Sequence, residues 1–196
     1  MLCNLTNIPK NKSWPLLYQA SRDGFKASDF HSKVNGIQGT LTLIKTVGNY
    51  VFGGYSVADW GSYNSKDDPT AFIFSLNNSF NKSVKMNIKQ GYNAIYATSS
   101  YGPTFGNGYD FYISDQSNIN TNSYTNIYSY EMPSFGYSST LLAGTYSFKT
   151  FEIEVYSVLI DRKFYLFVDF SSFSIFLKFQ KLVYLLHAKM RVHVNQ

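Results

Sequence analysis

Short runs of β-branched and aromatic residues recur along the chain, and this pattern limits its fold more than any other feature. Two runs, TLTLIKTV (40–47) and YVFGGYSV (50–57), are separated by Gly48 and Asn49, a composition that favours a tight hairpin turn. Polar connectors that contain glycine or asparagine separate nearly all the other runs. Further strands are predicted in AFIFSL (71–76), VKMNIK (84–89), AIYATS (94–99), DFYIS (110–114) and FEIEVYSV (151–158).

Helical signals are few and short by comparison. In KASDFHSKVNG (26–36), Phe30 and Val34 lie four residues apart and the segment closes on Gly36, which predicts a short helix with one buried face. Many short strands with small helical pieces between them indicate antiparallel sheets rather than a parallel α/β sheet. The predicted fold class is therefore mainly β, of the α+β type: two antiparallel sheets packed as a β-sandwich with short flanking helices.

The segment DQSNINTNSYTNIYSY (115–130) is a polar exception within the strand-rich part of the chain. Strands that are covered on both faces are normally rich in valine, isoleucine and leucine, and these 16 residues include only two isoleucines. We therefore expect this segment to form a surface loop or the edge of a sheet.

Charge is distributed unevenly, and its distribution argues against a nucleic-acid partner. Residues 1–159 carry 11 Lys/Arg against 10 Asp/Glu, a net of +1, whereas residues 160–196 carry 6 against 2, a net of +4. A protein that neutralises several phosphates needs cations clustered on its folded surface, and no such cluster occurs before residue 160. We expect no nucleic-acid partner.

Composition divides the chain into a polar lead-in at residues 1–13, a globular domain at 14–158 and a hydrophobic, basic tail at 159–196. Asp169 interrupts the apolar stretch at residues 164–177, which is also short for a membrane span. Two interpretations of the tail stay open. It is either an element that anchors the protein at a membrane surface, with membrane contact confined to residues 164–191, or a non-native extension from an imperfect gene model.

The glycine cluster in YGPTFGNGYDFYISD (101–115) raises the question of a phosphate-binding loop. A Walker loop needs Lys and Ser or Thr after its last glycine, but Gly108 is followed by Tyr109 and Asp110. A dinucleotide-binding turn is followed by a helix, whereas a strand is predicted here. The cluster is therefore interpreted as a tight turn in which Gly106 or Gly108 takes a positive φ.

The candidate catalytic and metal-binding side chains form no recognisable set. Ser21, Asp23 and His31 supply the residue types of a hydrolase triad, but three residues within eleven positions at a helix entrance converge poorly on one point. Capping by Ser21 or Asp23 and a hydrogen-bonded His31 is the preferred interpretation. His187 and His193 lie far from His31, and the single Cys3 adds no metal-ligand spacing. No cofactor or metal is expected.

Glu152 and Glu154 alternate with Ile153 and Val155, so in a strand both carboxylates share the face opposite the apolar one. Paired carboxylates catalyse glycoside hydrolysis when they bracket a substrate. An alternative function is therefore a hydrolase or antioxidant enzyme that uses Glu152, Glu154, His31 and Asp23. Because two acids on one strand more often mark a solvated or interface-facing side, a non-enzymatic domain is preferred.

Seven blocks, in order and with similar spacing between about Trp14 and Val158, resemble the TLDc domain. The blocks are LLYQASRDGF, FHSKVNG, GTLTLIK, YVFGGYS, DPTAFIFSL, GPTFGNGYDFYISD and LLAGTYSFKTFEIEVYSV. The block residues that carry the resemblance are Ser21, Arg22, Asp23, Gly24, Phe25, His31, Gly53, Gly54, Gly102, Pro103, Phe105, Gly106, Gly108, Asp110, Gly144, Phe148, Glu152 and Glu154.

The resemblance implies a sandwich of two antiparallel sheets with helices at the sides, and it brings no agreed reaction, cofactor or catalytic set. Eukaryotic members include oxidation-resistance and nuclear-receptor-coactivator-like proteins that protect against oxidative stress. Several members bind the vacuolar proton-pumping ATPase. We therefore expect a non-enzymatic protein-interaction domain that acts in oxidative-stress protection, in regulation of this ATPase, or in both, with protein partners that include ATPase subunits.

The chain departs from the family pattern at one thiol. The family commonly has Cys, then Asp and Gly, where this chain has Val34, Asn35 and Gly36. A redox role based on that thiol cannot be performed by Val34, and Cys3 lies outside the resembling region. The single cysteine and an N-terminus without an apolar stretch of signal-peptide length predict an intracellular, cytoplasmic location. The chain is also compatible with a fragment of a larger protein.

Overall fold

The computed structural model describes residues 14–61 and 64–158, all within one compact unit, Met1–Ile160. The predicted lead-in (1–13) and tail (159–196) lie outside the described residues. The helices are α1 (Ala20–Asp23) and α2 (Ala27–Val34). The strands are β1 (Leu16–Gln19), β2 (Thr40–Thr46), β3 (Val51–Ser56), β4 (Asn64–Lys66), β5 (Phe72–Asn77), β6 (Val84–Asn87), β7 (Ile95–Ala97), β8 (Thr104–Phe105), β9 (Phe111–Tyr112), β10 (Ser123–Thr125), β11 (Ser147–Phe148) and β12 (Thr150–Ser157).

The strands form two six-stranded antiparallel sheets, as the alternating sequence pattern predicted. The first sheet has the order β1-β12-β2-β3-β5-β6, and the second has the order β11-β10-β9-β8-β7-β4. The last strand, β12, lies between β1 and β2, which brings the C-terminal part of the domain beside its N-terminal strand. The predicted hairpin is β2 and β3, and Asn49 in its turn has φ +64°.

The two sheets pack face to face through aromatic side chains. Phe52 of β3 has its ring centre 5.4 Å from that of Phe111 in β9 and 5.6 Å from that of Phe148 in β11. All three rings are buried. A β-carbon on Gly54 of β3 would come within 2.4 Å of the Phe105 ring, so the absence of a side chain at Gly54 allows the close approach of the sheets.

The helices cover one end of this core. Phe30 of α2 is buried, and its ring makes edge contacts with Tyr18 of β1 at 5.7 Å and with Trp60 at 5.3 Å. Val34, one turn later, is also fully buried. The spacing of Phe30 and Val34 predicted this helix correctly. Burial of each large apolar side chain stabilises the fold by roughly 1.5–3 kcal/mol. The stability of α2 therefore comes from packing against the core, because so short a helix is not stable on its own.

The expectation that residues 115–130 form a surface loop or a sheet edge was wrong for Ser123–Thr125. Ser123–Thr125 is strand β10, which lies between β9 and β11 in the second sheet. Its two inward residues are buried but small, and both are hydrogen bonded: the Ser123 hydroxyl accepts the Ser114 N–H at 3.0 Å, and the Thr125 hydroxyl donates to the Ser139 carbonyl at 3.0 Å. Hydroxyl side chains that are satisfied in this way can occupy a position that usually holds aliphatic residues.

Candidate functional site

The Glu152 carboxylate joins β12 to the first helix. Its Oε1 accepts the backbone N–H of Ser21 at 3.1 Å, and its Oε2 accepts the Ser21 hydroxyl at 2.5 Å and the Gln19 side-chain amide at 3.5 Å. Helix N-termini present N–H groups that need acceptors, and a carboxylate is favourable there. Glu152 therefore supplies the acceptor that α1 lacks in its own sequence.

Asp23, at the end of α1, is engaged by two neighbours. The Arg22 guanidinium donates to both carboxylate oxygens, at 3.0 and 2.7 Å, and the Gln19 N–H donates to Oδ2 at 2.9 Å. The hydrogen bonds from Arg22, followed by that from Gln19, lower the pKa of Asp23 from 3.8 to about 2. Asp23 is therefore ionised near neutral pH and braces the turn from β1 into α1.

His31 lies on α2 and ties this helix to the second sheet. Its Nε2 is 2.8 Å from the Thr98 carbonyl and 3.0 Å from the Tyr101 carbonyl, and its Nδ1 is 2.8 Å from the Asn35 side-chain oxygen. His31 is 7% exposed. No described hydrogen bond joins it to Ser21 or Asp23, so the three side chains do not assemble a triad, and the interpretation of His31 as a hydrogen-bonded residue agrees with these contacts.

Glu154 follows Glu152 on the same face of β12, as the alternating pattern predicted. Its Oε2 accepts the Tyr156 hydroxyl at 2.7 Å. Burial and this hydrogen bond raise the pKa of Tyr156 to about 12. The two glutamates therefore have separate partners, Ser21 for one and Tyr156 for the other, and no described hydrogen bond joins them.

Asp110 explains one glycine of the cluster, Gly106. Its Oδ1 accepts the backbone N–H groups of Tyr128, Ser129 and Tyr130 at 2.7, 2.7 and 3.1 Å. Burial raises the pKa of Asp110. Gly106 has φ +91°, and a β-carbon there would lie 1.9 Å from Asp110 Oδ2. The prediction of a positive φ at Gly106 or Gly108 is therefore confirmed for Gly106, which makes room for a carboxylate that organises the loop after β10.

Most of the remaining block residues are buried or half-buried in the domain. Phe105, Phe148, Gly53, Gly54, Gly102 and Pro103 are buried, Phe25, Gly24 and Gly144 are half-buried, and Arg22 and Gly108 are exposed.

Sequence reasoning missed the role of Asp115. Its Oδ1 accepts the Ala27 N–H at 2.7 Å, and the adjacent Gln116 N–H donates to the Phe25 carbonyl at 3.0 Å. The signal was that Lys26, the residue before α2, offers no side-chain acceptor. Asp29 of α2 accepts the Lys26 N–H at 3.0 Å, and the Ala27 N–H is left to an acceptor outside the helix. These contacts fix the helices to the second sheet.

Sequence reasoning also missed a surface, which we name the tyrosine face. It consists of six tyrosines whose rings are in mutual contact on the outer side of the second sheet and its loops. The available signal was weak: tyrosine alternates with buried side chains in β7, β9 and β10. The six are Tyr96, Tyr101, Tyr109, Tyr112, Tyr124 and Tyr146.

A second surface, the helical edge, comprises residues 20–34. It exposes the side chains of Arg22, Lys26 and Lys33, and of these Arg22 is paired with Asp23. The edge is therefore a helical surface with two cations that make no described ion pair.

Other features offer little chemistry. A pocket of about 400 Å³ is lined by residues 67–69 and 88–92, but its buried Asp68 already accepts four hydrogen bonds from neighbouring groups. Among residues 14–61 and 64–158, no group of three or more His, Cys, Asp or Glu side chains is placed to hold a metal ion. No helix in these two ranges is long and apolar enough to cross a membrane.

Similarity to known proteins is found at the level of the family. Residues 1–159 match the family model of the TLDc domain. A search of curated proteins found no match.

Proposed function

The chain belongs to the TLDc domain family, and we propose that it acts as a non-enzymatic protein-interaction domain. The proposal extends to two roles that family membership suggests: contact with subunits of the vacuolar proton-pumping ATPase, and protection against oxidative stress. The observation that carries the non-enzymatic part is the engagement of the ionisable block residues in structural hydrogen bonds.

The enzyme alternative requires Glu152, Glu154, His31 and Asp23 to converge on a substrate. Instead, Glu152 binds the start of α1, Glu154 binds a tyrosine hydroxyl, Asp23 binds its own turn, and His31 binds backbone carbonyls of another loop. Glu152 and Asp23 both contact Gln19, but Glu154 and His31 bind groups elsewhere that neither of them contacts. This separation favours a function carried by exposed surfaces rather than by a catalytic cleft.

The antioxidant alternative has a related weakness. Val34 occupies the position of the family thiol, and its side chain is fully buried in the core. A thiol needs exposure and an electropositive setting to react readily. A side chain at this buried position is therefore suited to packing in the core rather than to redox chemistry. We propose that any effect on oxidative stress is exerted through a protein partner.

The helical edge is the surface that we propose for contact with the ATPase. Its fold depends on block residues, since Glu152 and Asp23 both brace α1. It also presents Lys26 and Lys33 to solvent. Exposed cations at the rim of an interface speed association with an acidic partner surface and make it sensitive to salt.

Surface plasmon resonance between the full chain and purified ATPase subunits tests this proposal. We expect saturable binding that weakens about tenfold in the Lys26→Glu/Lys33→Glu double variant. Lys82→Glu/Lys149→Glu is the matched control, because it makes the same change in net charge at two exposed lysines outside the helical edge. The control should bind like the unmodified chain.

Two results would count against the proposal in different ways. Absence of binding, under conditions in which another TLDc protein binds the same subunits, would remove the ATPase as a partner. Equal weakening by the two double variants would remove the helical edge as the contact surface. The oxidative-stress role is tested separately by the survival of hydrogen-peroxide-treated cells with and without the full chain, and equal survival would reject it.

A further inference from the structure

The tyrosine face is a continuous aromatic surface across the second sheet. Neighbouring ring centres lie 4.7 Å apart for Tyr101 and Tyr112, 5.3 Å for Tyr112 and Tyr124, and 5.3 Å for Tyr124 and Tyr146. Tyr96 joins this group through Tyr101 and Tyr109. All the rings are partly exposed, and Tyr146 is 52% exposed. A contiguous exposed aromatic patch of this kind is typical of a binding surface.

Tyr109 reaches the tyrosine face from a strained backbone position. Its φ is +59°, in the left-handed region that bulky side chains rarely adopt. From there its ring lies 5.1 Å from Tyr96, 6.0 Å from Tyr101 and 6.2 Å from Tyr112. Backbone strain concentrates at binding and active sites, where the surrounding structure maintains it. The strain at Tyr109 adds a ring near the middle of the surface.

The tyrosine face is made of phenol rings, is rich in donors and has no described cation stacked on it. Burial, the neighbouring Tyr101 and Tyr124 and the exposed Asp115 carboxylate together raise the pKa of Tyr112. Within the described part of the chain, no lysine or arginine stacks on these six rings; the lysine stacking contacts are made to other aromatic side chains. The hydroxyls of Tyr101, Tyr112, Tyr124 and Tyr146 donate no hydrogen bond to a described group. Single-stranded nucleic acids require cations beside the aromatic rings, so an uncharged ligand with carbonyl acceptors is the better complement.

The spacing of the rings fits one such ligand. Tyr96 is on β7 and Tyr112 is on β9, two strands away in the sheet, which corresponds to about 9.6 Å at the usual strand separation. Tyr146 is adjacent to β11, two strands further on. A polyproline II helix repeats every three residues, or about 9.3 Å. A proline-rich chain that crosses the strands would therefore meet a tyrosine at each turn.

We infer that the tyrosine face binds a proline-rich peptide segment in the polyproline II conformation. Proline rings pack on the tyrosine rings, and the phenol hydroxyls donate to peptide carbonyls, which are strong acceptors in a chain without N–H groups. Proline loses little conformational entropy on binding because its φ is already fixed. This inference stands apart from the helical edge and from the ATPase contact, so either can fail alone.

Isothermal titration calorimetry of the full chain with decaproline tests this inference. We expect saturable binding whose affinity is nearly unchanged between low and high salt, because decaproline has no charged side chain. Tyr112→Ala, in the middle of the tyrosine face, should weaken binding about tenfold. Tyr137→Ala is the matched control, because Tyr137 is 73% exposed and its ring lies outside the tyrosine face; it should bind decaproline like the unmodified chain.

A second variant keeps the test decisive if Tyr112→Ala does not fold. Tyr124→Phe retains the ring and removes one donor, so it should fold normally by circular dichroism and still bind decaproline several-fold more weakly. The inference is overturned by an absence of decaproline binding, by equal weakening in Tyr112→Ala and Tyr137→Ala, or by binding of cellohexaose in place of decaproline. Self-association that buries the tyrosine face and excludes decaproline would also overturn it.

Discussion

Replacement of Gly106 by alanine should destabilise the domain through two separable effects. Gly106 has φ +91°, and an L side chain with a left-handed backbone costs roughly 1–2 kcal/mol. The new β-carbon would also lie 1.9 Å from Asp110 Oδ2. Because three backbone N–H groups hold the other oxygen of Asp110, the overlap should add roughly 1–3 kcal/mol. The expected loss of unfolding free energy is about 2–5 kcal/mol.

Urea unfolding of the full chain measures this loss, and two other glycines provide controls. Gly91 has φ +82°, and no atom lies within 4 Å of the position that a β-carbon would take there, so Gly91→Ala should show the backbone cost alone. Gly108 has no positive φ, and a β-carbon there would meet only a Tyr128 ring carbon at 3.9 Å, an ordinary van der Waals contact, so Gly108→Ala should change stability by less than about 0.5 kcal/mol. Equal losses for Gly106→Ala and Gly91→Ala would refute the overlap with Asp110.

Three further outcomes are expected from the described contacts. Glu152→Ala should lower the unfolding free energy by about 1–2 kcal/mol because α1 loses its acceptor, while Glu131→Ala, an exposed control, should change it by less than about 0.5 kcal/mol. The pKa of Asp23 is lowered from 3.8 to about 2, so the contribution of its carboxylate to folding stability is present above pH 3.8 and is lost as pH falls towards 2. The difference in unfolding free energy between the unmodified chain and Asp23→Asn, measured by urea unfolding at each pH, should therefore shrink over that interval. In a Cys3→Ser background, Val34→Cys should react with a thiol reagent only after denaturation, because the side chain is fully buried.

Sequence alone was sufficient to predict a strand where polar and apolar residues alternate along it. In β12, Ile153 and Val155 face the core while Glu152 and Glu154 face the other side, and the strand was predicted with nearly correct bounds. The same reasoning failed for β10, whose inward residues are small and hydroxylated. Their burial depends on hydrogen bonds to other segments, and a rule based on hydrophobicity does not contain that information.

The contacts of the candidate site could not be read from local sequence for a related reason. The partner of Ser21 is Glu152, 131 positions away, and Asp110 binds N–H groups 18 to 20 positions further along the chain. Family resemblance identified these residues as a set, but only the fold shows which of them touch. Prediction of the tyrosine face would have required both the order of the strands in the sheet and the direction of each side chain, because its rings come from separate strands and loops.

The glycine turn connects the family blocks to the tyrosine face. Gly106 leaves room for Asp110, and Tyr109, between them, projects its ring onto Tyr96 and Tyr112. A displacement of this turn should therefore move Tyr109 even in molecules that stay folded. We expect Gly106→Ala to weaken decaproline binding at temperatures well below its unfolding transition. Gly91→Ala, which is destabilised through φ alone and has no atom within 4 Å of the added β-carbon, should bind normally. Equal affinities for the two variants would mean that the turn supports the fold without positioning the Tyr109 ring.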